Sequence, residues 1–129
     1  MIAREAMTPA PLTVTRRTSV AAALRLARDN GINRLPVVER GLIVGVVRRE
    51  RLLALTPSEA TTPSGGPARR AVEPALTLPV ATPLADAARR LLGHGASEAL
   101  VVEDERLVGI LTHSDLLRAL IPREPEAAA

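Results

Sequence analysis

Residues 35–53 read LPVVERGLIVGVVRRERLL, and residues 99–117 read ALVVEDERLVGILTHSDLL. Each stretch carries two β-rich runs with a short turn between them, and a Leu-Leu pair closes the pattern. The two stretches belong to a longer repeat, because residues 12–55 align without gaps on residues 76–119 at an offset of 64. In this alignment 14 of the 44 pairs are identical, which indicates an internal duplication.

The repeat predicts the element order β-α-β-β-α in each copy. In the first copy an extended segment at 12–15 precedes a helix with Thr18 as its N-cap and Gly31 as its left-handed terminator. In the second copy the segment is 76–79, the N-cap is Thr82, Pro83 is the first helical residue and Gly95 is the terminator. Two hairpin strands and a final helix follow in each copy, over 35–39, 42–47 and 49–55, and over 99–103, 106–111 and 113–121.

These elements predict an α+β fold with residues 1–58 as the first repeat and residues 71–122 as the second. Residues 59–70 are rich in Pro, Gly, Ser and Thr and are expected to form a flexible linker, and residues 123–129 a flexible tail. One copy alone would leave one face of its three-stranded sheet bare. We therefore expect the two β-α-β-β-α copies to pack sheet to sheet about a pseudo-twofold axis and to form one module.

The composition excludes several kinds of site. The chain has no Phe, Trp, Tyr or Cys, which rules out base stacking on aromatic side chains, disulfides and thiolate metal sites. All 17 Lys and Arg positions are Arg, but the net charge is only +3, which argues against a nucleic-acid-binding protein. The charge is uneven, because residues 1–64 carry 10 Arg and five acids. No apolar run approaches the roughly 18 residues of a membrane span, and the first residues lack a secretory pattern, so we expect a cytoplasmic protein with no membrane partner.

The start of the last helix, Thr112-His113-Ser114-Asp115, allows two interpretations. Thr112 and Asp115 have the spacing of a helix capping box. The same residues also suit a sugar phosphate, because a helix start offers free N–H groups to an anion, Ser114 adds a hydroxyl, and a carboxylate can accept from a vicinal diol. The residues alone leave both interpretations open.

Arg48 and Arg51 take the places of Thr112 and Asp115 in the first copy. Positive side chains at a helix N-terminus oppose the helix dipole, so helix propensity does not favour them there. Either they are solvated, or they face an anion.

The whole pattern resembles a tandem pair of CBS domains, a Bateman module. The resemblance covers the chain outside the linker and the tail. It rests on residues 7–9, 12–14, 18–24, 31–38 and 45–47, and on Gly109-Ile110-Leu111-Thr112-His113-Ser114-Asp115, which fits the ribose motif of the family.

This resemblance implies a regulatory module that needs no cofactor and binds an adenosyl ligand (AMP, ADP, ATP or S-adenosylmethionine, with or without Mg²⁺) in the cleft between the copies. Asp115 would hold the ribose hydroxyls, and Thr112 and Ser114 the ribose or the phosphate. Six residues of the first copy would enclose the base: Leu12, Thr13, Ile32, Asn33, Arg34 and Pro36. Three side chains could reach the phosphates: Arg48, Arg51 and His113.

The chain also departs from the family pattern. Arg48 and Arg51 stand where the family has Thr or Ser and Asp, and Glu98 would repel an anion from the second cleft, near Leu76, Ala96 and Ser97. We therefore expect one functional site per chain, or none. The resemblance further implies a homodimer formed through helices, and a regulated partner protein whose identity the sequence does not give.

Two other function classes compete with the sensor. A dimerisation or protein-interaction module that binds no nucleotide is the main alternative, and loss of nucleotide binding in Asp115→Ala would separate the two. An enzyme is disfavoured, because the chain has no catalytic-triad, His-rich metal or phosphate-loop pattern. His94 is expected near a helix C-terminus, where it would interact with the helix dipole, and His113 lacks an evident partner base or nucleophile.

Overall fold

The computed structural model describes residues 1–55 and 66–122 of the chain. Their contacts divide them into two compact units, which contain both helices and strands and confirm the α+β class. The second-repeat unit comprises Met1–Ala10, Leu76–Glu103 and the residues from Val108 on. The first-repeat unit comprises Asp104–Leu107 and the described part of Pro11–Ala75.

The second-repeat unit is built on a four-stranded sheet. Its strands are β1 (Thr8–Pro9), β4 (Thr77–Pro79), β5 (Glu98–Glu103) and β6 (Arg106–Thr112), in the order β1-β6-β5-β4, and β6 belongs to this unit from Val108 on. The helices are α1 (Ala3–Ala6), α4 (Leu84–His94) and α5 (His113–Leu120). β4 runs parallel to β5, and β1 runs antiparallel to β6. An aliphatic core joins the helices to the sheet through Ala3, Leu78, Ala87, Leu91, Ala99, Val101 and Leu111.

The first-repeat unit has the same plan with fewer regular strands. β2 (Arg34–Glu39) and β3 (Leu42–Arg48) form an antiparallel hairpin, and α2 (Val20–Asp29), α3 (Arg49–Ala54) and a 3₁₀ helix (Ala68–Ala71) pack with it. The segment predicted to be extended contributes a parallel bridge from Val14 to Val37 rather than a full strand. The core consists of Val14, Val20, Ala23, Ala27, Leu35, Val37, Val47, Leu52, Ala68 and Ala71.

The terminators of α2 and α4 were predicted correctly, but their N-caps were placed one residue too early. Gly31 and Gly95 have φ of +64° and +60°, the left-handed conformation that glycine adopts without steric cost. The N-cap of α2 is Ser19, whose hydroxyl accepts from the backbone N–H of Ala22 at 3.0 Å. The Thr18 hydroxyl instead accepts from the N–H of Thr15 in the preceding turn. Pro83 is the N-cap of α4 and not its first residue, because its ψ of 140° is extended.

The segment that precedes each repeat packs on the other repeat's unit, which the sequence did not predict. Residues 1–10, assigned above with the first repeat, belong to the second-repeat unit, and Thr8 pairs there with Ile110. In the first-repeat unit Glu73 forms the equivalent bridge to Val46. The prediction of a three-stranded sheet therefore missed one strand at the outer edge of β6.

The interval between the repeats is structured where it is described. The 3₁₀ helix at 68–71 buries Ala68 and Ala71 in the core of the first-repeat unit. Residues 66–70, predicted to be flexible linker, are thus packed, because these small side chains fit against the core. The linker residues 59–65 and the tail 123–129 lie outside the described residues.

Two glycines allow the segments that precede the repeats, residues 1–10 and 66–75, to pass close to β6 and β3. We call these the crossing segments. A Cβ at Gly109 would overlap Met7 Sδ and stand 3.1 Å from the Thr8 carbonyl oxygen. A Cβ at Gly45, the equivalent position in β3, would overlap the carbonyl oxygen of Glu73. Both positions therefore require glycine for the close approach of a second backbone.

Within residues 1–55 and 66–122, none of the helices has both the length and the apolar character needed to cross a bilayer.

Candidate ligand-binding site

The site predicted at the start of α5 contains a complete capping box. β6 runs directly into α5, and Thr112 is the N-cap with extended backbone. The Asp115 carboxylate accepts through Oδ2 from the Thr112 backbone N–H at 2.8 Å and from the Thr112 hydroxyl at 3.0 Å. The capping interpretation is thus confirmed, and it fixes the carboxylate at the positive end of the helix dipole.

The other oxygen of the Asp115 carboxylate contacts two further donors. Oδ1 lies 3.3 Å from the Thr8 hydroxyl and 2.5 Å from Nη2 of Arg118. The Asp115 side chain is only 3% exposed, whereas the Arg118 side chain is 68% exposed. The Arg118 guanidinium is therefore the solvent-facing partner at Oδ1, the position at which a ligand hydroxyl could take its place.

Ser114 and His113 flank this carboxylate in the first turn of α5. Ser114 is exposed, so its hydroxyl is open to a ligand. Nε2 of His113 lies 3.1 Å from the carbonyl oxygen of Ala96. The His113 ring, predicted as a phosphate contact, is thus positioned against the start of β5.

In the first-repeat unit the same place in the fold carries the opposite charges. Nε of Arg48 and Nε of Arg51 each lie 3.3 Å from the Glu73 carboxylate, on its two different oxygens. Glu73 corresponds to Thr8, because residues 66–73 repeat the packing of residues 1–8 at an offset of 65. Of the two interpretations left open for the arginines, the structure supports the anion, and the anion is internal to the chain.

Sequence reasoning missed Glu73 for an identifiable reason. The gapless alignment begins at residues 12 and 76, after this segment. The preceding segments match only when one residue is added to the offset. The signal that could have found Glu73 is the pair of alanines at Ala3 and Ala6, which recurs at Ala68 and Ala71.

Three residues predicted to contact the ligand share one cavity of the first-repeat unit. Asn33, Arg34 and Arg48 line a space of about 470 Å³ together with residues 49, 50 and 53. The Asn33 carbonyl accepts from the backbone N–H of Arg49 at 2.8 Å, which fixes the start of β2 against the start of α3. Arg51 does not line this cavity.

The other residues predicted around the base have different environments. Leu12 and Thr13 are exposed on the segment that precedes Val14, and Ile32 packs against the core. Pro36 is fully buried, and its carbonyl accepts from the Val14 N–H at 3.0 Å. Its ring is therefore a core side chain and presents no surface to a ligand in this structure.

Ser97 and Glu98 occupy, in the second-repeat unit, the positions of Asn33 and Arg34. The Ser97 hydroxyl donates to the Glu98 carboxylate, and Glu98 is 6% exposed. A buried acid at this position supports the expectation that an anion is not bound beside it.

Two tandem segments of the chain, residues 3–57 and 70–122, match the model of the CBS domain. The chain belongs to the CBS domain family. An uncharacterized protein of Methanocaldococcus jannaschii is 28% identical over 120 residues, which are 92% of this chain and 44% of that protein. The chain thus spans less than half the length of this relative.

Solved structures of CBS proteins share the fold. A crystal structure of CBSX2 in complex with AMP is 33% identical, with a TM-score of 0.78 over 92% of this chain and 94% of that chain. The CBS domain pair of a second protein, in complex with 5′-methylthioadenosine and S-adenosylmethionine, is 21% identical, with a TM-score of 0.79 and coverage of 92% and 94%. The second likeness concerns the fold alone.

Proposed function

We propose that this CBS protein is a ligand-sensing regulatory module that binds an adenosyl ligand and catalyses no reaction. The observation that carries the proposal is the buried Asp115 carboxylate, held at the start of α5 by Thr112. Oδ1, the second carboxylate oxygen, accepts a hydrogen bond from the Thr8 hydroxyl. The same oxygen can therefore accept from a ligand hydroxyl. The AMP complex of CBSX2, with 33% identity, supports the choice of an adenosyl ligand.

The ribose diol would bind through Oδ1 of Asp115. Oδ2 is occupied by Thr112, which orients the carboxylate. A ribose hydroxyl donating to Oδ1 would displace the exposed Arg118 guanidinium. A hydrogen bond from a hydroxyl to a charged group is worth about 1.5–3 kcal/mol, and the displaced guanidinium would return to solvent, where most of the Arg118 side chain already lies.

A phosphate would bind at the start of α5, at the exposed Ser114 hydroxyl and at the N–H groups that the capping box does not use. Longer phosphate chains, with or without Mg²⁺, are assigned to Arg48, which lines the 470 Å³ cavity with Asn33 and Arg34. We withdraw Arg51 from this role, because it lies outside that cavity. Arg48 also contacts Glu73, so a phosphate would compete with that carboxylate for its guanidinium. The base keeps the remaining assigned residues as part of the proposal: Leu12, Thr13, Ile32, Asn33 and Arg34.

An exposed apolar groove supports a homodimer. Ala88, Leu91 and Leu92 of α4 line it with His113, Leu116 and Leu117 of α5, and Leu92 and Leu117 are 77% and 63% exposed. Exposed leucines this close together are costly in water, and burying them against a second copy would remove that cost. The same groove would serve the alternative function, a dimerisation module without a nucleotide.

A thermal-unfolding panel tests the adenosyl proposal. The full chain is melted alone and with AMP, ADP, ATP, ATP with Mg²⁺, and S-adenosylmethionine. A ligand at about 100 times its dissociation constant adds about 2.7 kcal/mol to the free energy of unfolding, so a true ligand shifts Tm clearly. GMP is the matched control for the base. No shift with any adenosyl compound would contradict the proposal and support the dimerisation module.

A further inference from the structure

The first-repeat unit carries a basic depression at the turn end of its hairpin. Four arginines line a space of about 650 Å³ there: Arg16, Arg17, Arg40 and Arg69. All four side chains are exposed. Glu39 is the one acid among the described residues that line the space, and its carboxylate accepts from the backbone N–H of Arg16 at 2.9 Å. Four guanidinium groups thus share one surface with a single carboxylate.

The second repeat provides an internal control for this surface. Its equivalent positions hold Val80, Ala81, Asp104 and Arg4, and Arg4 pairs with Glu103. The same fold therefore forms without the extra arginines. Neither packing nor hairpin formation explains their clustering in the first repeat.

Arg40 has a backbone conformation that is unfavourable for arginine. Arg40 has φ of +52°, a region that favours Gly, Asn and Asp and that costs a longer side chain free energy. Asp104 occupies the equivalent turn position in the second repeat. The first repeat thus has, at the turn that lines the basic depression, an arginine that is less suited to the left-handed backbone conformation than the aspartate of the second repeat.

Part of the lining of the depression is aliphatic. Leu42, Ile43 and Val44 line it, and Leu42 is 53% exposed. The second repeat has Arg106 at the position of Leu42. A ligand that offers only phosphates would leave these side chains in water. A ligand with both carboxylates and aliphatic side chains would satisfy the arginines and cover the leucine.

We propose that this surface, formed by Arg16, Arg17, Arg40 and Arg69 around Leu42, docks an acidic polypeptide segment of a partner protein in which carboxylates alternate with aliphatic side chains. Guanidinium groups bind carboxylates in bidentate pairs, and Leu42 to Val44 receive the aliphatic side chains. A nucleic-acid strand fits less well, because the chain has no aromatic residue on which bases could stack.

The test measures binding of a fluorescein-labelled Glu-Leu alternating octapeptide to the full chain by fluorescence anisotropy. The comparison probes compete unlabelled against the labelled peptide. They are a Gln-Leu octapeptide, a Glu homo-octapeptide, inorganic tripolyphosphate and a single-stranded oligonucleotide. We expect the Glu-Leu peptide to bind most tightly and its affinity to fall as salt rises. Tighter binding of the oligonucleotide or of tripolyphosphate, or no binding of the Glu-Leu peptide, would overturn the proposal.

A double variant locates the surface. Arg17→Ser with Arg40→Asn removes two of the charges, and Asn suits the left-handed turn at position 40, so the fold is retained. The affinity for the Glu-Leu peptide should fall at least about tenfold, the loss expected for one charge-assisted hydrogen bond. Arg25→Ser with Arg90→Ser removes the same charge from exposed helix positions and should leave the affinity within about twofold of the parent, as screening predicts for distant charges. An equal loss of affinity for the Glu-Leu peptide in the two double variants would show that net charge alone causes the binding, and it would refute the docking surface.

Discussion

The Thr8 hydroxyl donates to the Asp115 carboxylate at 3.3 Å, although 107 residues separate the two in the chain. The segment before the first repeat therefore completes the surroundings of the carboxylate that begins the last helix. In the first-repeat unit the corresponding residue is Glu73, which contacts two arginines instead. The duplicated fold thus presents one site organised around a carboxylate and one around guanidinium groups.

Thr8→Val tests the first of these contacts. Valine keeps the shape of the side chain but cannot donate to Asp115. Loss of one hydrogen bond to a part-buried charge should lower the free energy of unfolding by about 1–2 kcal/mol. Urea denaturation followed by circular dichroism measures the change. Thr77→Val, at an exposed position in β4, is the control and should change the stability by less than about 0.5 kcal/mol.

Gly45→Ala should be more damaging than Gly109→Ala. A Cβ at position 45 meets the backbone carbonyl of Glu73, which cannot move aside, and the Val72 side chain at 2.7 Å. A Cβ at position 109 meets the flexible side chain of Met7 first. We expect the free energy of unfolding to fall by about 3 kcal/mol in Gly45→Ala and by about 1–2 kcal/mol in Gly109→Ala, within the range for overpacked positions. Chemical denaturation measures the free energy of unfolding of both variants. Equal losses in the two variants would contradict the close approach described for the crossing segments.

Gly93→Ala is the matched control for the glycine variants. Nothing lies within 4 Å of a Cβ at this position in α4. Alanine there should stabilise the protein by up to about 1 kcal/mol, because glycine is a poor helix former. Met7→Ala combined with Gly109→Ala should recover part of the stability lost in Gly109→Ala, because the alanine at position 7 lacks the Sδ and Cγ atoms that the new Cβ would overlap.

The repeat predicted most of the fold, but not the crossing segments. Periodicity and turn residues located the hairpins and the glycine terminators Gly31 and Gly95, because these features depend on local backbone preferences. Glu73 could not be predicted from helix propensity, since its partners Arg48 and Arg51 come from a different stretch of the chain. The capping role of Asp115 was predictable from its spacing to Thr112, whereas its contact with Thr8 depends on the tertiary fold.

Glu73→Gln should destabilise the first-repeat unit. The substitution leaves the Arg48 and Arg51 guanidinium groups without their shared carboxylate. Because the side chains of Arg48 and Glu73 are about one-third exposed, we expect a loss of only about 1 kcal/mol, smaller at high salt. Thermal unfolding at low and high ionic strength measures this. Glu105→Gln, at an exposed turn position, is the control; a loss equal to that of Glu73→Gln would show that net charge alone is responsible.

Leu92→Ser with Leu117→Ser should abolish self-association through the α4–α5 groove. Serine removes the apolar surface while the positions remain exposed, so folding is retained. Light scattering after size exclusion should change from the mass of a dimer to that of a monomer. Leu120→Ser alters an equally exposed leucine that does not line the groove and should leave the mass unchanged. A double variant that stays dimeric would place the interface elsewhere.

The proposed function depends on recognition of the ribose diol of an adenosyl ligand by Asp115. Isothermal titration of AMP and of 2′-deoxy-AMP into the parent chain and into Asp115→Asn forms a double-mutant cycle on that contact. We expect the parent to prefer AMP by about tenfold or more, the preference that one charge-assisted hydrogen bond gives, and Asp115→Asn to bind both nucleotides weakly with no preference. An undiminished preference for AMP in Asp115→Asn, with circular dichroism showing an intact fold, would contradict the claim.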